Sequence, residues 1–345
     1  MTHKATLAVR TGIETDTQHG AVVPPIYLSS NYTFADFGEP RQYDYARSGN
    51  PTRTNLADAL AALEGGAGAV VTGTGMGAVH LVTTALLKAG DLLIAPHDCY
   101  GGTWRLFEYL AAKGHYQVQF VDQGDEGALA AALAQKPALV WVETPSNPLL
   151  RVVDIAAIAE ASHEVGAQVV VDNTFLSPLL QQPLALGADV VVHSTTKYIN
   201  GHSDVVGGVA IAKDQALADS LVWWANCLGL TSGAFDSYLT LRGLRTLAPR
   251  LRTHQENTDR ILAFLQQQPL VKRIYHPSLP SHPGHDIARR QQSGFGAMLS
   301  FELDCNETGL RAFLAGLRLF SVAESLGGVE SLVAHPASMT HRAMT

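Results

Sequence analysis

From Leu56 onward the chain alternates two apolar patterns. Short unbroken runs rich in β-branched residues lie at residues 69–71, 92–94, 118–121, 139–142, 169–171 and 190–192, and longer Ala/Leu-rich stretches with helical spacing separate them. A strand that is apolar at consecutive positions is buried on both faces, and strands of this kind joined through helices form mainly parallel sheets. The pattern predicts an α/β fold with a mainly parallel central sheet. Polar groups that follow the strands would gather at the carboxyl edge, where such sheets place their sites.

Both ends of the chain depart from this pattern. The first fifty residues carry Pro24-Pro25, the tyrosines Tyr27, Tyr32, Tyr43 and Tyr45, and a Gly49-Asn50-Pro51 turn. They predict an extended, irregular arm of a kind that packs on a neighbouring subunit. After about Leu251 come a long helical stretch through Gln268, a His- and Pro-rich loop at 276–285, and strand-like alternation at 296–302. These predict a smaller α+β C-terminal domain. The chain thus divides into an arm (1–48), a large domain (49–255) and a small domain (256–345).

Composition narrows the partners. The 345 residues carry a formal charge of −7 and no long Lys/Arg run, which argues against nucleic acid and anionic membranes and favours small molecules. No uncharged apolar stretch is long enough to span a bilayer, and residues 1–10 lack the apolar core of a signal peptide. Cys99, Cys227 and Cys305 are few and scattered, as in proteins of a reducing compartment, so a cytoplasmic location is expected.

The chemistry lies just after the strands. The run at 169–171 leads into Asp172-Asn173-Thr174, and the run at 190–192 into His193-Ser194-Thr195-Thr196-Lys197, so an acid and a lysine leave the same edge. Pyridoxal 5′-phosphate (PLP) requires such a pair. A lysine holds its aldehyde as a Schiff base, and a carboxylate keeps the pyridine nitrogen protonated so that the ring can take up carbanion electrons. Lys197 and Asp172 fit these roles, and the hydroxyls of Ser194 and Thr196 could bond the phosphate. The glycine-rich turn at 73–77 precedes a helix expected to begin near Ala78, which aims the amides of Gly75 and Met76 at an anion. Tyr100, after the run at 92–94, could stack on the ring.

Each feature alone has an ordinary explanation. A strand-end Asp caps helices, a lone Lys is a solvated charge, a glycine turn is punctuation, and Tyr100 is packing. The joint occurrence at one sheet edge favours a PLP site. Two other classes stay open on the residues. Gly73-Thr74-Gly75-Met76-Gly77-Ala78 also satisfies the dinucleotide pattern, with Asp98 about twenty residues further on, as in an NAD(P)-dependent oxidoreductase. That reading leaves Asp172 and Lys197 without a task. A non-enzymatic scaffold would leave every strand-end polar group idle. The fourteen histidines include His282 and His285, but Pro283-Gly284 makes that stretch a loop and nothing completes a metal site.

The residues also resemble the Cys/Met-metabolism family of PLP enzymes almost end to end. The resemblance rests on YARSGNPTR at 45–53, PHDCYGG at 96–102, ETPSNP at 143–148, DNTF at 172–175, STTKY at 194–198, GHSD at 201–204 and AESLGG at 323–328. It implies the fold-type I, aminotransferase-like architecture, with Lys197 as the Schiff-base lysine, Asp172 on the pyridine nitrogen and Tyr100 on the ring. It further implies a homotetramer in which Tyr45 and Arg47 reach the phosphate of the adjacent subunit. Asp44, Arg105, Asn226, Glu324 and Ser325 resemble substrate-pocket positions of the branch that joins a homoserine ester to cysteine by γ-replacement, and Arg105 could pair with a succinyl carboxylate. The succinyl, acetyl and phosphoryl esters stay open, as do the γ-lyase and sulfhydrylase branches. Gly102 stands where the methionine γ-lyases resemble one another in carrying a cysteine, which disfavours that branch, and Asp44 looks more like the synthases. Relatives continue past Thr345 through a strand and helix carrying an arginine that clamps the substrate α-carboxylate. A truncated small domain that binds cofactor but turns over poorly is therefore expected, with Arg342 the only arginine near the end.

Overall fold

The computed structural model describes residues 3–340. Arg342 lies outside the described residues. Seven strands form one sheet: β1 (Gly68–Thr72), β2 (Leu92–Pro96), β3 (Gln117–Val121), β4 (Leu139–Glu143), β5 (Gln168–Asp172), β6 (Val190–Ser194) and β7 (Gly208–Ala212), in the spatial order β1-β7-β6-β5-β4-β2-β3. The ladders among β2 to β6 are parallel, while β7 runs antiparallel between β1 and β6. The six expected runs are β1 to β6. The seventh strand, β7, was not anticipated from the sequence.

Helices cover both faces, as the unbroken apolar runs require. In chain order they are α1 (Lys4–Arg10), α2 (Pro51–Glu64), α3 (Gly75–Leu86), α4 (Gly101–Ala112), α5 (Glu126–Leu133), α6 (Ile155–Glu164), α7 (Ser177–Leu180), α8 (Gln215–Leu228), α9 (Ala234–Leu244), α10 (Leu247–Leu265), α11 (His285–Gln291) and α12 (Glu307–Ala315). Val70, Val170, Val190, Val192 and Trp141 pack on one face against Ala78, Leu81 and Val82 of α3, Phe107 of α4 and Leu221 of α8. On the other face Val71, Val209 and Ile211 meet Leu56, Leu60 and Leu63 of α2 and Leu241 and Leu244 of α9. Further along that face, Val140, Val142, Val169, Val171 and Val191 meet Leu129 of α5 and Ile155 and Ile158 of α6. Each fully buried aliphatic side chain stabilises the fold by about 1.5–3 kcal/mol relative to exposure, so these layers hold the strand ends in fixed register.

Several expected boundaries move, each for a local reason. The arm is not wholly irregular. His3 caps α1 by accepting from the Ala5 amide at 3.2 Å, and Ala8 is buried. Helix α2 starts at Pro51 instead of Leu56, because Asn50 accepts from the amides of Thr52 and Arg53 and proline suits the first turn. Helix α3 starts at Gly75 instead of Ala78, because the Thr74 hydroxyl accepts from the Gly77 amide at 2.8 Å. After α10, the strands β8 (Val271–Tyr275) and β9 (Ser300–Leu303) pair antiparallel, and β10 (Ser321–Val322) and β11 (Leu332–Val333) form a separate two-stranded pair. The expected strand at 296–302 forms only from Ser300 onward. Among the described residues no helix is long and apolar enough to cross a membrane.

Candidate active site

Because β1, β2, β4, β5 and β6 point the same way, the residues after them meet at one edge. Asp172 ends β5 and Ser194 ends β6. The Ser194 amide donates to Thr174 Oγ1 at 2.8 Å, which ties the two strand ends together. Asp172 Oδ1 accepts from the Thr174 amide at 3.0 Å. Burial raises the Asp172 carboxyl above the usual carboxylate range, opposed by its Thr174 hydrogen bonds and the nearby His193. No lysine or arginine forms an ion pair with Asp172 among the described residues, so a half-buried acid sits at the strand end without a lysine or arginine partner.

Lys197 lies three residues beyond β6, and its Nζ donates to Ser325 Oγ at 2.8 Å. Desolvation lowers its pKa, offset in part by Glu324. Ser325 holds a positive φ of 110°, which a serine rarely adopts. The neighbouring turn is braced from within: Thr196 Oγ1 accepts from the Gly207 amide at 3.0 Å and donates to the Gly207 carbonyl at 3.2 Å. The Thr196 hydroxyl hydrogen is therefore already used. Ser194 Oγ makes no such bond among the described residues.

The glycine turn closes on this edge. A Cβ at Gly75 would stand 2.9 Å from Ser194 Cβ, so only glycine lets the start of α3 approach so near. Thr74 takes up the amides of Gly77 and Ala78, whereas those of Gly75 and Met76, first in the helix, have no intrahelical acceptor. Tyr100 precedes α4 and is 50% exposed, with its amide donating to Glu143 Oε2 at 2.8 Å. A Cβ at Gly102 would lie 2.5 Å from Tyr100 Cε1 and 3.1 Å from Met76 Sδ, so Tyr100, Met76 and Gly102 form one contiguous surface.

A second group forms where the arm meets α8. Arg47 Nε donates to Asn226 Oδ1 at 3.0 Å, and its guanidinium lies 5.6 Å from the Tyr45 ring centroid. Asp44 Oδ1 accepts from Ser48 Oγ at 2.8 Å and from the Tyr45 amide at 2.6 Å, which hold its pKa below the ordinary value. Arg53 grips the carbonyls of Ala46, Arg47 and Ser232. Arg105 stands exposed on α4 with no ion pair among the described residues. The structure thus collects Gly75, Met76, Tyr100, Asp172, Ser194, Thr196, Lys197, Glu324 and Ser325 about one edge. It assembles Asp44, Tyr45, Arg47 and Asn226 separately, with no hydrogen bond linking the two groups among the described residues.

Two buried acids at this edge escaped sequence reasoning as site residues. Glu143 at the end of β4 bonds the Tyr100 amide, and its place directly after an apolar strand was the available signal. Glu64 is fully buried and accepts from Asn173 Nδ2 at 2.9 Å, while His193 Nε2 lies 2.6 Å from the same oxygen. Breaking such a buried pair by removing one member costs about 3–5 kcal/mol. Nothing in the sequence distinguishes Glu64 from a solvated helix charge.

Comparison with known proteins places this geometry. The chain is 67% identical over 345 residues to the cystathionine gamma-synthase of Escherichia coli (strain K12), covering 100% of this chain and 89% of that protein. Two crystal structures of cystathionine gamma synthase from Xanthomonas oryzae pv. oryzae superpose with a TM-score of 0.99 and cover 100% of this chain and 89% of theirs. One is in complex with aminoacrylate and cysteine, at 62% identity, and the other with cystathionine, at 63%. These likenesses establish the fold-type I architecture and set aside the NAD(P)-dependent alternative. The profile of the Cys/Met metabolism PLP-dependent enzymes matches residues 5–345, and the chain belongs to that family.

Proposed function

We propose that the chain is a PLP-dependent γ-replacement enzyme that joins a homoserine ester to L-cysteine to give L-cystathionine, as in methionine biosynthesis by transsulfuration. The observation that carries this reading is the likeness, over the whole of this chain and 89% of the other, to a cystathionine gamma synthase solved with cystathionine. The residues at the sheet edge fit PLP. Asp172 is a half-buried acid with no lysine or arginine partner among the described residues, and a protonated pyridine nitrogen would supply one. The start of α3 closes on Ser194 to within what only glycine permits and offers two amides without acceptors.

In this reading Lys197 holds the cofactor covalently and Asp172 faces its ring nitrogen. Gly75, Met76 and Ser194 would hold the phosphate, Thr196 would brace the turn through its bonds to Gly207, and Tyr100 would lie against the ring. When bound, PLP supplies an electron sink that stabilises negative charge at the substrate carbons. The other steps fall to the chain. Lys197 Nζ, its proton affinity lowered by burial and itself set free once the substrate amine takes its place, would take the Cα proton and then a Cβ proton as the γ-ester leaves with its bonding electrons. It would return a proton to each carbon after the cysteine sulfur, having lost its own proton, bonds Cγ. General acid–base transfer of this kind contributes roughly 10²–10⁴-fold to rate. Ser325 Oγ fixes where Nζ rests between transfers.

Substrate contacts are assigned to Asp44, Asn226, Glu324 and Ser325, with Arg105, free of ion pairs, available to a succinyl carboxylate. Tyr45 and Arg47 act toward the phosphate of a second copy of the chain in a homotetramer with shared sites. The three free cysteines fit a cytoplasmic setting. The test supplies purified protein with PLP and each of the succinyl, acetyl and phosphoryl esters of homoserine, with and without cysteine. Cystathionine is expected only with cysteine, and Lys197→Ala is expected to abolish it along with borohydride-fixed cofactor. Oxo-acid formation that cysteine leaves unchanged would assign the chain to the lyase branch instead.

A further inference from the structure

Glu143 is the last residue of β4 and pairs in parallel register with Asp172, the last residue of β5. Registered residues on adjacent parallel strands face the same side at about the inter-strand spacing of 4.8 Å, so the two acids are neighbours at the carboxyl edge. Glu143 is 8% exposed and has no lysine, arginine or histidine in ion-pair contact among the described residues. Its one hydrogen bond accepts the Tyr100 amide at 2.8 Å. It therefore touches one residue assigned to the ring face and adjoins the residue assigned to the ring nitrogen, although the mechanism uses neither of its oxygens.

We propose that Glu143 is a positioning residue for the cofactor platform, holding Tyr100 and Asp172 in fixed relation from behind both. The proposal rests on the reading that PLP is held by Lys197 between them. The surroundings settle how Glu143 acts. Burial, Asp172 and Asp98 all drive its carboxyl well above the usual range, and only the Tyr100 amide opposes them. The Cys99 thiol beside it is itself raised by burial and by these acids, so it stays neutral and offers no balancing charge. Hydrogen bonds from Thr174, and after them the nearby His193, favour an ionised Asp172. Ionising Glu143 beside Asp172 is therefore more costly than ionising an exposed glutamate. Glu143 accepts the Tyr100 amide through Oε2, and Oε1 makes no hydrogen bond among the described residues, on a side chain that adjoins Asp172 in register.

The experiment compares Glu143→Gln, Glu143→Asp and Glu143→Ala as holoenzymes, measuring the PLP dissociation constant, the pH midpoint of the bound-cofactor absorbance, kcat and KM. Borohydride labelling of Lys197, checked in wild type and every variant, separates failure of the cofactor reading from failure of this proposal. Glu143→Gln keeps an acceptor for Tyr100 and is expected within about twofold of wild type in every readout. Glu143→Ala loses a buried hydrogen bond and is expected to bind PLP about tenfold more weakly, with kcat falling more than KM rises. Glu143→Asp stays an acid but is one methylene short of Tyr100, and is expected to lie nearer to Glu143→Ala. Wild-type affinity and kcat in Glu143→Ala would overturn the proposal. So would Glu143→Gln being the worse of the two conservative variants, which also decides the matter if Glu143→Ala fails to fold.

Discussion

Lys197 and Ser325, 128 residues apart in sequence, meet through a 2.8 Å hydrogen bond from Nζ to Oγ. The serine keeps this contact while its backbone sits at a φ of 110°, a region that costs a residue with a side chain about 1–3 kcal/mol. Strain persisting at the residue that meets the lysine implies that the contact matters more to function than to folding. Ser325→Ala should lower kcat by about tenfold with little change in PLP binding. Ser325→Gly should be equally impaired yet melt at a higher temperature than Ser325→Ala, since glycine tolerates that φ. Unchanged kcat in both variants would remove the lysine tether from the mechanism.

Among the described residues the Arg47 guanidinium meets its own chain through Asn226 and over the Tyr45 ring. If it serves the site of a second copy, Arg47→Ala and Lys197→Ala should each be inactive alone and recover activity on mixing. Half of randomly paired dimers are hybrids and each hybrid has one intact site, so recovery should approach about a quarter of wild type. No recovery from subunits shown to exchange would mean that Arg47 acts within its own chain.

Gly102→Ala places a methyl group 2.5 Å from the Tyr100 ring. Overpacking of this kind costs about 1–3 kcal/mol, and because the ring is half exposed it can swing outward without disrupting α4. The variant should fold normally, bind PLP more weakly and show an altered circular dichroism band from the bound cofactor. A band and affinity identical to wild type would show that the ring is not set by this contact.

His276 gives a prediction about pH. Burial, aided by His282, pushes its imidazole down to about 4, and its Nε2 is buried without a hydrogen-bond partner among the described residues. With the folded value below the unfolded value near 6.5, the unfolded chain binds a proton that the folded chain refuses. Stability present above pH 6.5 is therefore lost as pH falls from 6.5 toward 4, by up to about 3 kcal/mol. Urea midpoints at pH 7, 6 and 5 should fall more steeply in wild type than in His276→Gln, and parallel slopes would contradict the assignment.

The parts of this architecture that could be read in advance share one property: local pattern determines them. Strands β4, β5 and β6 are buried on both faces and appear in the sequence as unbroken apolar runs, and Asp172 and Lys197 stand out as the polar residues directly after two of them. Strand β7 escaped because Gly207-Gly208 opens it like a loop, and its direction depends on pairing with β1 and β6 rather than on its own composition. Helix starts at Pro51 and Gly75 were misplaced because single capping side chains, Asn50 and Thr74, set them. The roles of Glu64 and Glu143 were hidden for a different reason. A charged side chain in sequence resembles a solvated one until its distant partners, His193 in one case and Tyr100 in the other, are brought to it.

The stretch from Glu324 to Glu330 approaches the lysine from outside the sheet. Ser325 meets Lys197, Glu330 accepts from Ser203, and the flanking strands β10 and β11 are only two residues each. Most residues assigned to the cofactor stand directly at the ends of strands buried on both faces, so their backbone positions are set by tightly packed layers. The stretch assigned to the substrate is a surface ribbon fastened at a few polar points. Such a division makes the site modular: the ribbon can be rewritten, and the preferred ester or reaction branch altered, without refolding the platform that carries the shared chemistry.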